Sequence, residues 1–154
     1  MEAKDGINKI LKLNEELLPV NGLWAITGGA NHFIRGIVSE INDVDIITTK
    51  ETGLEISNKF LNYIFKNYEY TQSERIISNF CIIKFNGLNI DVMADPVNLI
   101  GDKWVVNKEW SNSIEIFNAF GMSFPLTTLK YELYIYNLLG HFDRVRLLRS
   151  FLEE

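Results

Sequence analysis

Hydrophobic and polar positions follow two different periods along the first third of the chain. Apolar residues recur at helical spacing over 4–18, and Pro19 ends this run. Short apolar runs at 23–27 and 43–48 predict strands, and the segment 30–37 between them predicts a short helix. The chain is therefore predicted to begin with the order helix, strand, helix, strand.

The middle of the chain combines a long helical pattern with a hairpin pattern. Apolar residues at helical spacing predict a helix over 51–68. Two runs rich in β-branched and aromatic residues then flank Asn86-Gly87, which is the strongest short hairpin signal. Residues 80–85 and 88–93 are therefore predicted to pair as antiparallel strands.

The last third is less regular until its final helices. Short strands are predicted at 103–107 and 113–120. After Pro125 two helical patterns follow, separated near Gly140, and one of two threonines that follow Pro125 is expected to cap the first helix. These elements predict an α+β fold, close to α/β, with a mixed sheet flanked by helices.

Composition limits the class of protein further. The chain has 154 residues, of which 47% are hydrophobic and 23% charged, so we expect one globular domain with a core over about 20–120 and terminal helices over about 126–153. The N-terminus lacks a signal peptide, and no apolar run approaches the roughly 20 residues that a membrane span needs. The sequence thus predicts a cytoplasmic protein that does not bind membranes.

Acidic residues stand inside two apolar strands, where aspartate is uncommon. Asp43 and Asp45 point to one face of their strand, because side chains alternate across it, and Val44 points to the other face. Asp91 points away from the apolar face of a later strand, so the three carboxylates can converge if the strands are neighbours. Such a cluster suits Mg²⁺, which prefers oxygen ligands. The alternative is that these acids only line a solvated face.

Gly28-Gly29 follows the first predicted strand and precedes a predicted helix. Glycine lets backbone N–H groups approach a ligand closely, and a helix N-terminus favours negative charge. Phosphate binding is one interpretation of the pair, and an ordinary tight turn is the other. No Gly-Lys-Ser/Thr of a Walker A loop follows the pair, and the pair does not belong to a GxGxxG motif.

The chain resembles the DNA polymerase β-like nucleotidyltransferases, and in particular their small, minimal members. The resemblance depends on the order and spacing of Gly28-Gly29, Asp43-Val44-Asp45 and Asp91. It implies a nucleotidyltransferase fold and transfer of a nucleoside monophosphate, most simply AMP from ATP, to an acceptor hydroxyl with release of pyrophosphate. It also implies that Asp43, Asp45 and Asp91 hold two Mg²⁺ ions, or alternatively Mn²⁺, and that Asp91 helps to deprotonate the acceptor.

Two features of the sequence depart from the pattern of that family. The second loop residue is Gly29 where a serine is common, and the terminal helices carry Gly140-His141-Phe142-Asp143-Arg144 in place of a more basic segment. Basic contacts for the triphosphate are therefore expected elsewhere in the chain. Arg35 on the predicted second helix and Lys130 in the penultimate helix are candidates, and a surface position is the alternative for each.

The acceptor is not indicated by the sequence. The short helical tail predicts that a homo-oligomer or a small helical partner protein completes the acceptor site. The net charge of −5 argues against a broad nucleic-acid surface without excluding one. A second hypothesis is a non-catalytic binding module that keeps the fold and acts as a regulator or antitoxin through protein contact.

Overall fold

A computed structural model describes residues 3–152 of the chain. Its elements alternate between helices and strands in the first half and are mostly strands thereafter. They are α1 Ala3–Leu17, β1 Trp24–Thr27, α2 Gly28–Ile34, β2 Asp43–Thr48, α3 Lys50–Lys59, β3 Ile64–Gln72, β4 Ile76–Phe85, β5 Leu88–Ile100, β6 Lys103–Val106, β7 Ile114–Ala119, β8 Met122–Thr127, α4 Leu129–Leu139 and α5 Phe142–Leu152.

The eight strands form one mixed sheet. Its order is β3-β4-β5-β2-β1-β8-β7, and β6 pairs with the far end of β5. Strand β2 is parallel to β5 and antiparallel to β1, whereas β1 is parallel to β8. Strands β1, β2 and β5 are therefore internal strands of the sheet, flanked on both sides. This architecture confirms the predicted α+β fold with a mixed sheet and terminal helices.

The two faces of the sheet carry different cores. The larger core lies between the sheet and helices α1 to α3, and its fully buried side chains include Ile26, Val44, Ile46 and Ile90. A smaller cluster on the other face joins Ala25 and Ile47 of the sheet to Trp110 and to Tyr131 of α4. Helix α4 therefore covers only part of this second face.

Two local signals correctly predicted turns and caps. Strands β4 and β5 meet with Phe85 opposite Leu88, and Asn86 and Gly87 both have positive φ, as a two-residue hairpin turn requires. The Thr128 side chain accepts a hydrogen bond from the N–H of Tyr131 and caps α4.

The prediction of a helix over 51–68 is wrong in its second half. Helix α3 ends at Lys59, and residues from Ile64 onward form strand β3. Exposure alternates along this strand, with Phe65 65% exposed while Tyr68 is partly buried and donates its hydroxyl hydrogen bond to Lys50 O. The closely spaced apolar residues of this segment fit both the helical and the strand period, and pairing with β4 stabilises the strand.

Pro125 predicts a boundary before the final helices, whereas Met122–Thr127 form strand β8. Pro125 lies inside this strand and faces Ile116 of β7. Its missing N–H is tolerated because the pairing of β8 with β1 is short, with Leu126 and Ile26 as register partners. Within residues 3–152, no helix is both long and apolar enough to cross a membrane; the cytoplasmic location stays a prediction.

Candidate active site

Parallel pairing of β2 with β5 brings the three predicted acids together. Asp45 lies opposite Asp91, and Asp43 lies opposite Asn89 in the same register. The intervening Val44 is fully buried on the opposite face of the sheet. The acids therefore share the face that α4 only partly covers, with Asp43 exposed and Asp45 and Asp91 partly buried.

Burial and mutual repulsion act strongly on these carboxyl groups. Burial, followed by the charges of Asp91, Asp43 and Glu132, raises the pKa of Asp45 from 3.8 to about 7. Burial and the charge of Asp43 also raise the pKa of Asp91. A positive ion among these groups would relieve the repulsion that disfavours their charged forms.

The chemistry of this donor set fits a divalent cation with oxygen ligands. Residues 3–152 nevertheless contain no group of three or more His, Cys, Asp and Glu side chains already close enough to hold a metal ion. Asp43, Asp45 and Asp91 would therefore have to draw closer around a cation. The assignment of Mg²⁺ or Mn²⁺ to these residues stays a prediction.

Gly28 lies directly against the acids. It is the first residue of α2, has a φ of +69°, and a Cβ placed on it would lie 2.9 Å from Asp45 Oδ2. Both the backbone conformation and the close contact therefore favour glycine at this position. The glycine pair begins the helix itself, whereas the sequence predicts a helix that begins after the pair, at residue 30.

A carboxylate that the sequence did not single out occupies the start of α2. Glu132 of α4 is only 1% exposed, and its Oε1 accepts a hydrogen bond from the N–H of Gly28 at 2.8 Å. Its Oε2 accepts a hydrogen bond from the Thr27 hydroxyl at 3.0 Å, and His32 Nε2 lies 3.3 Å from Oε1. The Gly28 N–H is therefore already bonded, which argues against its predicted contact with phosphate.

An open polar pocket of about 420 Å³ lies beside the acids. Gly29, Ser39, Asp43, Asp45 and Arg144 contribute to its lining. Arg144 of α5 therefore lines the same pocket as the carboxylates of Asp43 and Asp45. Arg144 reaches this pocket because α5, which follows Gly140, is directed back toward β2.

The structure does not bring Arg35 to this pocket. Its guanidinium donates hydrogen bonds to Glu115 at 2.6 Å and to the carbonyl of Thr127 at 3.0 Å, and its Nε donates to Asn31. The Arg35 side chain is only 7% exposed and also lies over the Phe117 ring. Arg35 therefore joins α2 to β7 and β8, and its predicted contact with phosphate is not supported.

Lys130 also lies away from the acids. It lines a separate pocket with Glu109, Ser113, Thr128 and Tyr134, between the first turns of α4 and the segment that precedes β7. Neither Lys130 nor Arg35 belongs to the lining of the pocket beside Asp45. Arg144 replaces them as the basic candidate at the site.

Comparisons with known proteins agree with this architecture. A protein from Thermotoga maritima proposed to be a nucleotidyltransferase is 25% identical, with a TM-score of 0.81 over 99% of this chain and 96% of that one. The antibiotic-resistance factor ANT(2'')-Ia is 12% identical, with a TM-score of 0.65 over 97% of this chain and 85% of that one. The lincosamide antibiotic adenylyltransferase LnuA is 15% identical, with a TM-score of 0.55 over 97% and 98% of the two chains.

These similarities lie in structure and not in recognisable sequence. No protein-family model matches the chain, and no curated protein matches it. The solved structures confirm that the chain has a nucleotidyltransferase fold.

Proposed function

We propose that the protein is a Mg²⁺-dependent nucleotidyltransferase that passes AMP from ATP to an acceptor hydroxyl on a small molecule or protein and releases pyrophosphate. One observation carries the proposal: Asp45, which lies opposite Asp91 on the adjacent parallel strand, lines a pocket together with Asp43, Gly29 and Arg144. The fold shared with two antibiotic-modifying proteins adds support, since one of them was solved with adenylyl-2''-tobramycin.

Each residue of the site has a defined task in this proposal. Asp43, Asp45 and Asp91 would hold the metal, which when bound supplies charge neutralisation for the transferring phosphoryl group. Arg144 would balance charge on the departing pyrophosphate, and the N–H of Gly29 would donate to a phosphate oxygen. Asp91 has a raised pKa, which suits a group that accepts the acceptor's proton.

Calorimetric titration tests the proposal directly. Wild-type protein is titrated with ATP and with a non-hydrolysable analogue, first with Mg²⁺ and then with EDTA. The same titrations are run on an Asp43→Asn, Asp45→Asn double variant. An Asp102→Asn variant is the matched control, because Asp102 lies in the exposed turn between β5 and β6.

Binding that needs Mg²⁺, survives in Asp102→Asn and disappears in the double variant would support the assignment. A folded wild type that binds no triphosphate would overturn it. Once binding is established, release of pyrophosphate in the presence of hydroxylated small molecules would identify the acceptor class. A homo-oligomer or a helical partner protein that completes the acceptor site stays a prediction.

The second hypothesis, a non-catalytic binding module, has one observation in its favour. The Glu132 carboxylate accepts the hydrogen bond from the first N–H group of α2, although the nucleotidyltransferase hypothesis predicts a phosphate oxygen as its acceptor. An intact fold that binds no triphosphate, with and without metal, would favour this hypothesis. Magnesium-dependent nucleotide turnover that depends on Asp43 and Asp45 would exclude it.

A further inference from the structure

A second cleft lies on the other side of Asp45 from the polar pocket. It has a volume of about 230 Å³ and runs between the sheet and α4. Asp45 and Thr27 line one end, and Asn98 lines the cleft together with apolar side chains such as Ile135 and Leu139. The charged pocket and this largely apolar cleft therefore share Asp45.

An irregularity in β5 directs Asn98 into this cleft. Asp95 has a φ of +49°, and the register of β5 with β4 shifts between the pairs Asn79–Ala94 and Ile77–Val97. Such a bulge changes which residues face each side of a strand and is frequent beside functional sites. The Asp95 carboxylate accepts a hydrogen bond from the N–H of Lys50, which holds the bulge in place.

Asn98 is a buried polar side chain without a complete set of partners. It is only 8% exposed, and its Oδ1 has no hydrogen-bond partner among residues 3–152. An unpaired buried oxygen of this kind costs free energy unless a ligand satisfies it. By contrast, the neighbouring Asn107 is satisfied, because it donates a 2.7 Å hydrogen bond to the Tyr131 hydroxyl.

We propose that this cleft binds the adenine ring of the nucleotide and that the Asn98 amide reads its 6-amino edge. The inference rests on the proposed function, because the triphosphate then extends past Asp45 into the polar pocket. The size of the cleft favours a base over an acceptor, since sites for drug-sized ligands occupy about 300–1,000 Å³. The largely apolar walls suit the two faces of a planar aromatic ring, whose polar atoms all lie along its edge.

The amide also discriminates between purines. Asparagine forms a paired contact with adenine, in which the amide oxygen accepts from the 6-amino group and the amide nitrogen donates to a ring nitrogen. Guanine carries a carbonyl oxygen in place of that amino group, so the Asn98 amide oxygen would stay without a donor. The site therefore selects ATP over GTP.

The test measures base selectivity separately from triphosphate binding. Affinities for ATP, GTP and inorganic tripolyphosphate, each with Mg²⁺, are measured for the wild type, Asn98→Ala and Asn67→Ala. Asn67 is exposed on the edge strand β3 and serves as the matched control. An Ile135→Trp variant, which fills the cleft, provides an independent change that leaves Asn98 intact.

We expect the wild type and Asn67→Ala to prefer ATP over GTP by about tenfold or more, and Asn98→Ala to reduce this ratio to about threefold or less. Tripolyphosphate affinity should remain unchanged in Asn98→Ala and Ile135→Trp, while Ile135→Trp weakens ATP. Equal affinities for ATP and GTP in the wild type, or ATP binding unaffected by either variant, would overturn the adenine site and leave the proposed function standing. Failure of both ATP and tripolyphosphate to bind would overturn the two proposals together.

Discussion

Glu132 Oε1 accepts a hydrogen bond from the backbone N–H of Gly28 at 2.8 Å, although 104 positions separate the two residues in the sequence. The bond joins α4 to the beginning of α2, directly beside Asp45. Because Thr27 donates to the other carboxylate oxygen, one buried side chain satisfies two donors at the end of β1. Glu132 therefore fixes the relative positions of α2 and α4 at the candidate active site.

Removal of this carboxylate should destabilise the fold. Glu132→Ala leaves the Gly28 N–H and the Thr27 hydroxyl without a buried acceptor, and we expect a loss of about 3 kcal/mol in the free energy of unfolding. Glu132→Gln keeps one acceptor oxygen, so its loss should be about 1 kcal/mol. Urea denaturation measures both. Glu69→Ala, on exposed strand β3, is the control, and equal losses in Glu69→Ala and Glu132→Ala would contradict the prediction.

The stability of the metal-free protein should fall as the pH rises through the pKa range of Asp45. Its folded pKa of about 7 lies above the ordinary value of 3.8, so the folded state holds a proton that the unfolded state has lost between these values. The free energy of unfolding of the wild type should therefore fall from about pH 4 to about pH 7. That of Asp45→Asn should depend less on pH and, above that range, should exceed that of the wild type by about 2 kcal/mol.

Urea denaturation in EDTA across that pH range measures the difference, with Asp102→Asn as control. Millimolar Mg²⁺ should restore wild-type stability at the upper end of the range and leave Asp45→Asn unchanged, because a ligand that binds the folded state stabilises it. If the free energy of unfolding depended on pH in the same way for the wild type and Asp45→Asn, the loss of stability would not arise from the charge of Asp45, and the prediction would be contradicted.

Arg144 should matter for triphosphate affinity, whereas Arg149 on the same helix should not. Arg144 lines the pocket with Asp43 and Asp45, and Arg149 is exposed on α5. We expect Arg144→Gln to weaken binding of Mg²⁺–ATP by about tenfold or more, since an arginine–phosphate contact is a charge-assisted hydrogen bond. Arg149→Gln has the same change in net charge, so similar losses in both variants would indicate a general charge effect and not a contact of Arg144.

Arg35 should affect stability and leave nucleotide affinity unchanged. Arg35→Ala removes hydrogen bonds to Glu115 and to the Thr127 carbonyl and exposes the Phe117 ring, so we expect a loss of about 2 kcal/mol. Thermal unfolding and ATP titration on the same samples separate the two effects. A folded Arg35→Ala variant with strongly reduced ATP affinity would restore Arg35 as a phosphate contact.

Short-range patterns in the sequence were sufficient for much of the fold and for the acids. Strand β2 begins and ends as predicted because its apolar residues alternate with Asp43 and Asp45 beside a clear core face. The β4–β5 hairpin follows from Asn86-Gly87, whose backbone preference is local. Asp91 could be assigned to the same sheet face as Asp45 because side chains along β5 alternate regularly between the two faces of the sheet up to Met93.

Features that depend on tertiary contacts were not predictable in this way. Ile64–Tyr68 becomes a strand because β4 supplies a partner, and its local pattern alone also fits a helix. Glu132 is the one acidic residue of α4, and only the fold shows that two donors from β1 and α2 meet it. Arg144 reaches the pocket beside Asp45 because packing against α4 sets the direction of α5.

Because of the arrangement of the sheet, the backbone amide protons in the two halves of the site should exchange with solvent at different rates. Asp45 and Asp91 lie on internal strands, so their amide protons should exchange only when the whole domain unfolds. Within the described part of the chain, helix α5, which carries Arg144, packs chiefly on α4. Its amides should exchange through a smaller local opening, which separates Arg144 from the carboxylates while β2 and β5 remain paired.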